Sequence, residues 1–156
     1  MKLDPQHIAY MQQCLQLAES ALQAGNIPVG SLIVRQGQVI ATASEQLPQA
    51  LDVIGHAEVL AVRLACQQLQ TLNLADCILY TTAEPCWMCS YAIRETQINT
   101  VVIGAETNVV GGVSSPYPIL SAQDIAVWGA PPQIIMGVLR DECRALRLRY
   151  PRTGIG

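Results

Sequence analysis

Two short segments do most to limit how this chain can fold: His56-Ala57-Glu58 and, thirty positions after His56, Pro85-Cys86-Trp87-Met88-Cys89. Each opens a helical pattern. From Gly55 to about Leu69 the spacing of Ala57, Leu60, Ala61 and Leu64 predicts a helix, and Val62 and Cys66 make its other side apolar, which predicts a central position. Pro85 suits the first turn of a further helix ending near Arg94, because its missing N–H costs nothing there. Cys86 and Cys89 then lie one turn apart on the same face. His56 and Glu58, two positions apart, would point in opposite directions in mid-helix. They can share a site only around a helix mouth, which Gly55 makes feasible.

One imidazole and two thiolates are three protein ligands, and three ligands on zinc leave its fourth tetrahedral position for a water. The positive end of a helix dipole and a metal both lower thiol pKa, so both Cys86 and Cys89 are expected as thiolates at neutral pH. Glu58 would then accept a proton from the water and deliver it to a ring nitrogen and a departing amine. A Cys-x-x-Cys alone also occurs in buried packing and in redox pairs, and a His-x-Glu alone says less. Together, H-x-E followed by P-C-x-x-C is the pattern of zinc deaminases, in which the Glu is acid and base and not a ligand. Two readings compete. A structural zinc module needs a fourth ligand, and no further His or Cys stands at ligand spacing; Cys66 or Cys77 on the metal would be its mark. A thioredoxin-type redox pair would also follow a strand and open a helix, but it leaves His56 and Glu58 without a role.

The rest of the chain supplies a frame of alternating elements. Asp4 and Pro5 read as N-cap and first residue of a helix in which Ile8, Met11, Leu15, Ala18 and Leu22 recur until Gly25. Val29 to Val34 and Val39 to Ala43 read as strands of a hairpin around Gly37, and Ser44 to Ile54 as a loop. Cys77 to Thr82, Ile98 to Gly104 and Gln133 to Met136 read as strands, Gly111 to Pro118 as a turn-rich loop, and Leu139, Cys143, Leu146 and Tyr150 as a closing helix. Strands alternating with helices imply a parallel component and helices layered on a sheet. At 156 residues, 51% of them hydrophobic and only 13% charged, the chain reads as one domain, residues 1–156, with elements buried on both faces and no tendency to disorder.

No apolar run approaches the roughly 18 to 20 residues of a membrane span, and the start MKLDPQHIAYMQQ lacks the build of a signal peptide. A cytoplasmic protein with reduced thiols is therefore expected, and Cys14, Cys66, Cys77 and Cys143 read as buried. His7 reads as a surface residue of the first helix. Of the nine basic residues, five (Arg140, Arg144, Arg147, Arg149 and Arg152) lie in the C-terminal tail, which leaves four against ten acids before it. Such a body repels a phosphate backbone, so a nucleic-acid partner is possible but disfavoured, and its footprint would fall on the C-terminal segment. Those arginines read first as a solvated helix face.

From Ile27 to Gly104 the order IPVGSLIV, VIATA, GHAEVLAV, CILYTTAEPCWMCSYAI and INTVVIG resembles the cytidine deaminase-like superfamily, in the branch of tRNA adenosine deaminases, guanine deaminases and fungal-type cytosine deaminases. The resemblance implies a three-layer α/β/α sandwich with a mixed central sheet and one catalytic zinc per chain. It also implies release of ammonia from a nucleobase, nucleoside or related heterocycle with water as co-substrate, and a homodimer, which the apolar composition also favours. It assigns His56, Cys86 and Cys89 to the zinc and Glu58 to proton transfer. Val29, Glu45, the Ala57 backbone and Trp87 are the substrate-facing candidates; Trp128 and Tyr117-Pro118 are candidates for a lid or interface.

Two departures from the branch bear on the substrate. Its members often carry Asn shortly after the second strand, where this chain has Glu45, and an ionised Glu accepts hydrogen bonds but cannot donate them. The stretch ETNVVGGVSSPYPIL lacks the lysines associated with tRNA adenosine deaminases. With the acidic body, these favour a free, donor-rich base of the guanine or isocytosine type, the alternative being adenosine in tRNA converted to inosine.

Overall fold

The computed structural model describes residues 3–151, so Arg152 lies outside the described residues. The chain runs α1 (Pro5–Gln23), β1 (Gly30–Arg35), β2 (Gln38–Ser44), α2 (Ala57–Leu69), β3 (Cys77–Ala83), α3 (Trp87–Glu95), β4 (Thr100–Ala105), β5 (Gln133–Met136) and α4 (Arg140–Leu148). Asp4 caps α1, its carboxylate accepting from Gln6 N–H with Pro5 in the first turn, as the sequence predicts. Gln36 and Gly37 both take positive φ (52° and 76°), and this pair closes the hairpin that pairs Arg35 with Gln38. Two such residues match the right-handed twist of the flanking strands.

The five strands lie in the order β2-β1-β3-β4-β5, antiparallel from β2 to β3 and parallel from β3 to β5. Side chains alternate across this mixed sheet. Ile33, Leu79, Val101 and Ile103 join Ala61, Val62 and Ala65 of α2 and Ile93 of α3 on one face. Leu32, Val34, Tyr80 and Val102 meet Tyr10, Met11 and Cys14 of α1 and Cys143 of α4 on the other. Helix pairs on both faces make the three-layer α/β/α sandwich, and the domain shows no helix long and apolar enough to cross a membrane among the described residues.

Burial departs from the sequence reading in four places. Along α1 the buried stripe is Tyr10, Met11, Cys14, Ala18 and Ala21, leaving Ile8, Leu15 and Leu22 half-buried at its edge. The helix turns its small residues inward because it lies almost against β1: a Cβ on Gly30 would sit 2.1 Å from Cys14 O and 2.7 Å from Ala18 N. Helix α2 is not central but an outer-layer helix, with Arg63, Leu64, Gln67 and Gln68 exposed. His7 is half-buried rather than on the surface, its Nδ1 2.9 Å from Tyr80 Oη. Cys14, Cys77 and Cys143 are buried as expected, but Cys66, also read as buried, is half-buried, because it lies on α2 beside the exposed Gln67.

The close approach at Gly30 gives a direct test. Gly30→Ala must push α1 off the sheet and is expected to destabilise the protein by about 1–3 kcal/mol in denaturant titration, as overpacking does. Gly129→Ala, with no atom within 4 Å of the added carbon, should leave the midpoint unchanged.

Candidate active site

Helix α2 begins at Ala57, so His56 is its N-cap and Glu58 lies in its first turn. Both side chains can therefore reach one point past the end of the helix, as the two-residue spacing demanded. Helix α3 begins at Trp87, which makes Cys86 its N-cap and moves Pro85 just outside rather than into the first turn. Pro85 instead offers its carbonyl to Gly112 N–H at 2.8 Å. The two helix starts converge. Cys86 Sγ and Cys89 Sγ are 3.6 Å apart, and His56 Nδ1 lies 3.6 Å from the first and 3.5 Å from the second.

Zinc–sulfur bonds of about 2.3 Å and a zinc–nitrogen bond of about 2.05 Å at tetrahedral angles span edges of roughly 3.8 Å between sulfurs and roughly 3.6 Å from sulfur to nitrogen. The observed triangle fits one zinc ion without rearrangement, and its N/S/S donor set is the one zinc favours. Among the described residues no fourth His or Cys joins the three, and Cys66 and Cys77 are not in the group. A closed structural site is therefore not formed. The redox-pair reading also fails, because the cysteines share their site with His56 and Glu58.

Glu58 is buried beside the ligands. Its Oε1 accepts from Thr81 Oγ–H at 3.1 Å and its Oε2 lies 3.5 Å from Cys89 Sγ. Burial, and then the neighbouring Cys86, hold its carboxyl above the ordinary carboxylate range. The Cys86 thiol is pulled down to about 4, first by its hydrogen bond with Cys89 and, against burial, by His56. The same bond, burial and Glu58 push Cys89 well up. The protein's own groups thus favour a thiolate at Cys86 but not at Cys89, so of the two causes expected to give a pair of thiolates it is the metal that would have to displace the second proton. His56 is raised to about 9 by its hydrogen bond with Cys86 and, against burial, by Glu45.

Beside this triangle opens a cavity of ≈ 90 Å³, with buried Glu45, Glu58 and Val29 and exposed Val110 and Arg147 among the residues that line it. Two of the four substrate-facing candidates, Val29 and Glu45, face this space. Ala57 does not line it: its N–H is given to Glu45 Oε2 at 3.3 Å. Trp87 does not line it either, because its ring turns outward, donating Nε1–H to Ser115 Oγ at 3.0 Å and packing edge-on to Tyr117. Glu45 Oε1 is buried with no hydrogen-bond partner. Burial, then Glu58, raises the Glu45 carboxyl to about 8.

Several residues of the site were not singled out from the sequence, among them Thr81, which holds Glu58, and Glu84. Glu84, 2% exposed, accepts from the backbone N–H groups of Thr107, Val113 and Ser114 and from Ser114 Oγ. Burial alone would raise its pKa, but these donors bring it below the ordinary value. The carboxylate ties the loop after β4, which carries the cavity residues Thr107 and Val110, to the chain just before Cys86. The loop passes so close that a Cβ on Gly111 would stand 2.3 Å from Glu84 Oε1. Only the acid immediately before Pro85-Cys86 hinted at this, since its donors lie more than twenty residues on.

Residues 4–105 match the family described as the cytidine and deoxycytidylate deaminase zinc-binding region. The chain belongs to this family. It is a zinc-dependent hydrolytic deaminase with the cytidine deaminase-like fold. The deaminase is 40% identical over 111 residues to the tRNA-specific adenosine deaminase of Aquifex aeolicus (strain VF5), covering 71% of this chain and 74% of that protein. It is 34% identical over 145 residues to the tRNA-specific adenosine deaminase of Streptococcus pyogenes serotype M1, covering 93% of this chain and 83% of that one. A solved tRNA:A34 deaminase, studied for A-to-I editing at the wobble position, superposes with a TM-score of 0.81 at 30% identity, covering 88% of this chain and 98% of that one. These relatives overturn the preference for a guanine- or isocytosine-type free base. That preference took Glu45 as an ionised acceptor, whereas burial and Glu58 raise its carboxyl to about 8, so that at neutral pH it can donate as well as accept.

Removing the loop anchor has a measurable effect. Glu84→Ala leaves three backbone N–H groups without their acceptor and is expected to cost about 2–5 kcal/mol of stability. Amide hydrogen exchange at Thr107, Val113 and Ser114 should quicken more than at the sheet amides; equal protection at those three positions would show that the loop is held by something else.

Proposed function

We propose that this deaminase converts adenosine to inosine within tRNA, with His56, Cys86 and Cys89 holding one zinc and Glu58 moving the protons. The observation that carries the reading is the triangle of 3.5 to 3.6 Å between the three donor atoms with the Glu58 carboxylate at its side. The tRNA substrate is supported by the relatives, whose likeness to this chain extends over 93% of it in the Streptococcus pyogenes protein.

Zinc, when bound, activates water for attack on the carbon that bears the amino group. The hydroxyl of Thr81 fixes Glu58 through Oε1, which leaves Oε2 on the metal side of the carboxylate. Oε2 takes one proton from the water and gives it to the ring nitrogen, where it stays; it then takes the second proton of the same water and gives it to the departing amine, so that ammonia leaves and a carbonyl remains. A carboxyl whose pKa is raised by burial both takes and returns a proton more readily near neutral pH than an exposed one. Glu45 presents Oε1, a buried oxygen without a partner, to a polar group of the target nucleotide. Val29 supplies apolar contact to the base.

The decisive assay incubates the protein with tRNA carrying adenosine at the wobble position and measures inosine, alongside guanine, isocytosine and free adenosine. Inosine should form in the tRNA alone; turnover of a free base with none in tRNA would refute the reading. Glu58→Ala should retain about one zinc per chain by metal analysis while losing about 10²- to 10⁴-fold in kcat. Loss of the metal with the carboxylate would make Glu58 a ligand.

The same reading includes a homodimer. Tyr117, Trp87, Tyr91 and Trp128 form a band along α3, with edge-on contacts of 5.6 Å (Trp87–Tyr117) and 5.5 Å (Tyr91–Trp128). Tyr91, Tyr117 and Val127 leave 56%, 67% and 81% of their surface open. A second copy would cover this band. Light scattering at micromolar concentration should give twice the chain mass, and Tyr91→Asp should shift it toward the monomer; a parent that is monomeric under these conditions would remove the proposal.

A further inference from the structure

Helix α4 and its C-cap carry Arg140, Arg144, Arg147 and Arg149, and three of these have carboxylate partners. Arg140 and Arg144 both pair with Glu106, and Arg149 grips Glu19 through two bonds of 2.7 and 2.9 Å. Arg147 has no ion pair among the described residues. It is nonetheless, among the described residues, the one Lys or Arg that lines the catalytic cavity, and three acids, Glu45, Glu58 and Glu84, share that lining. Its backbone is fixed, because Cys143 and Leu146 of the same helix are buried in the domain. A lone cation held at the exposed rim of an acidic cavity has no structural partner to explain it.

We infer that Arg147 binds a phosphate of the RNA strand whose adenosine enters the cavity. The inference rests on the tRNA reading above. A nucleotide with its base at the zinc triangle carries its phosphates toward the rim, where the acidic lining would repel them unless a cation intervened. The planar guanidinium meets a phosphate through two parallel N–H donors. Arg147 thereby selects a nucleotide in a strand over a free base, because only the strand supplies the anion. It acts in binding and not on the reacting atoms.

The test measures binding and turnover of a tRNA anticodon stem-loop by the full-length chain, by Arg147→Ala and by Arg147→Lys over a series of salt concentrations. Arg147→Ala should weaken binding about tenfold and raise KM to match, with kcat within about twofold, and should reduce the slope of log K against log salt by about 1. Arg147→Lys should keep the parent's slope and recover part of the affinity, because it retains the charge without the fork. All three proteins should melt at the same temperature, since the Arg147 side chain is exposed and unpaired. Affinity and slope unchanged in Arg147→Ala would overturn the proposal. So would a fall in kcat with KM and slope intact, which would make Arg147 a counter-charge for Glu45. A parent that binds the stem-loop through Arg147 but forms no inosine would refute the editing reaction and keep the phosphate contact; a parent that binds no RNA would refute both.

Discussion

Everything in this molecule depends on two helices starting at the same point. A ligand on one helix start and two on the other must come within 3.6 Å of each other, which leaves no tolerance for a shift in either helix. The small side chains at the junction make this possible. Val29 before β1, Ala57 at the start of α2 and Ala83 at the end of β3 pack together as a separate buried cluster directly under the site. Ala57 and Ala83 add no bulk beyond a methyl group, so the strand end and the helix start can approach closely. A larger residue at either place would separate His56 from Cys86 and Cys89, and a site built on distances suited to zinc would lose its metal before it lost its fold.

The three buried carboxylates around the cavity differ in how fully they are satisfied, and the difference separates structure from chemistry. Glu84 receives four hydrogen bonds from one loop and has no capacity left for a ligand. Glu58 receives Thr81 Oγ–H on one oxygen and has its other oxygen 3.5 Å from Cys89 Sγ, within hydrogen-bond reach of a metal ligand. Glu45 receives the Ala57 N–H on one oxygen and nothing on the other. A buried acceptor without a donor costs on the order of 1–3 kcal/mol. Glu84 has no such deficit and works as an anchor, whereas the one unpartnered oxygen among the three belongs to Glu45, which lines the cavity.

What could be read from the sequence was local. The H-x-E and P-C-x-x-C segments place their side chains by position within a helix start, and neither needs distant residues to be interpreted. Strand and helix periodicity likewise produced the order of elements and the parallel component. The rest depended on contacts across long separations. The inward stripe of α1 follows from the backbone of β1 lying against it at Gly30, which periodicity alone does not contain. The outward turn of Trp87 follows from Ser115, twenty-eight residues away. Glu84 became legible only once the loop at 107–114 was seen to close over it, and Arg147 only once α4 was seen to end at the cavity rim.

The reading of charge shows the same limit in its sharpest form. Summed along the chain before the C-terminal tail, ten acids against four basic residues describe a body that repels RNA. Those acids are not a uniform surface. Glu45, Glu58 and Glu84 are buried, and Glu19, Asp76 and Glu106 are paired with arginines. Asp4 caps α1, Asp52 accepts from Ile54 N–H, and Glu95 accepts from Trp128, so few carboxylates face solvent unengaged. At ordinary ionic strength exposed charges act over about 10 Å, so a phosphate at the cavity rim responds to the residues beside it and hardly to the formal total. Among the described residues the Lys or Arg that lines the cavity is Arg147, contributed by the C-terminal helix that the charge count had set apart from the body. Folding brings that helix back against β4, and the charge asymmetry between the two parts of the sequence becomes a charge distribution around one opening.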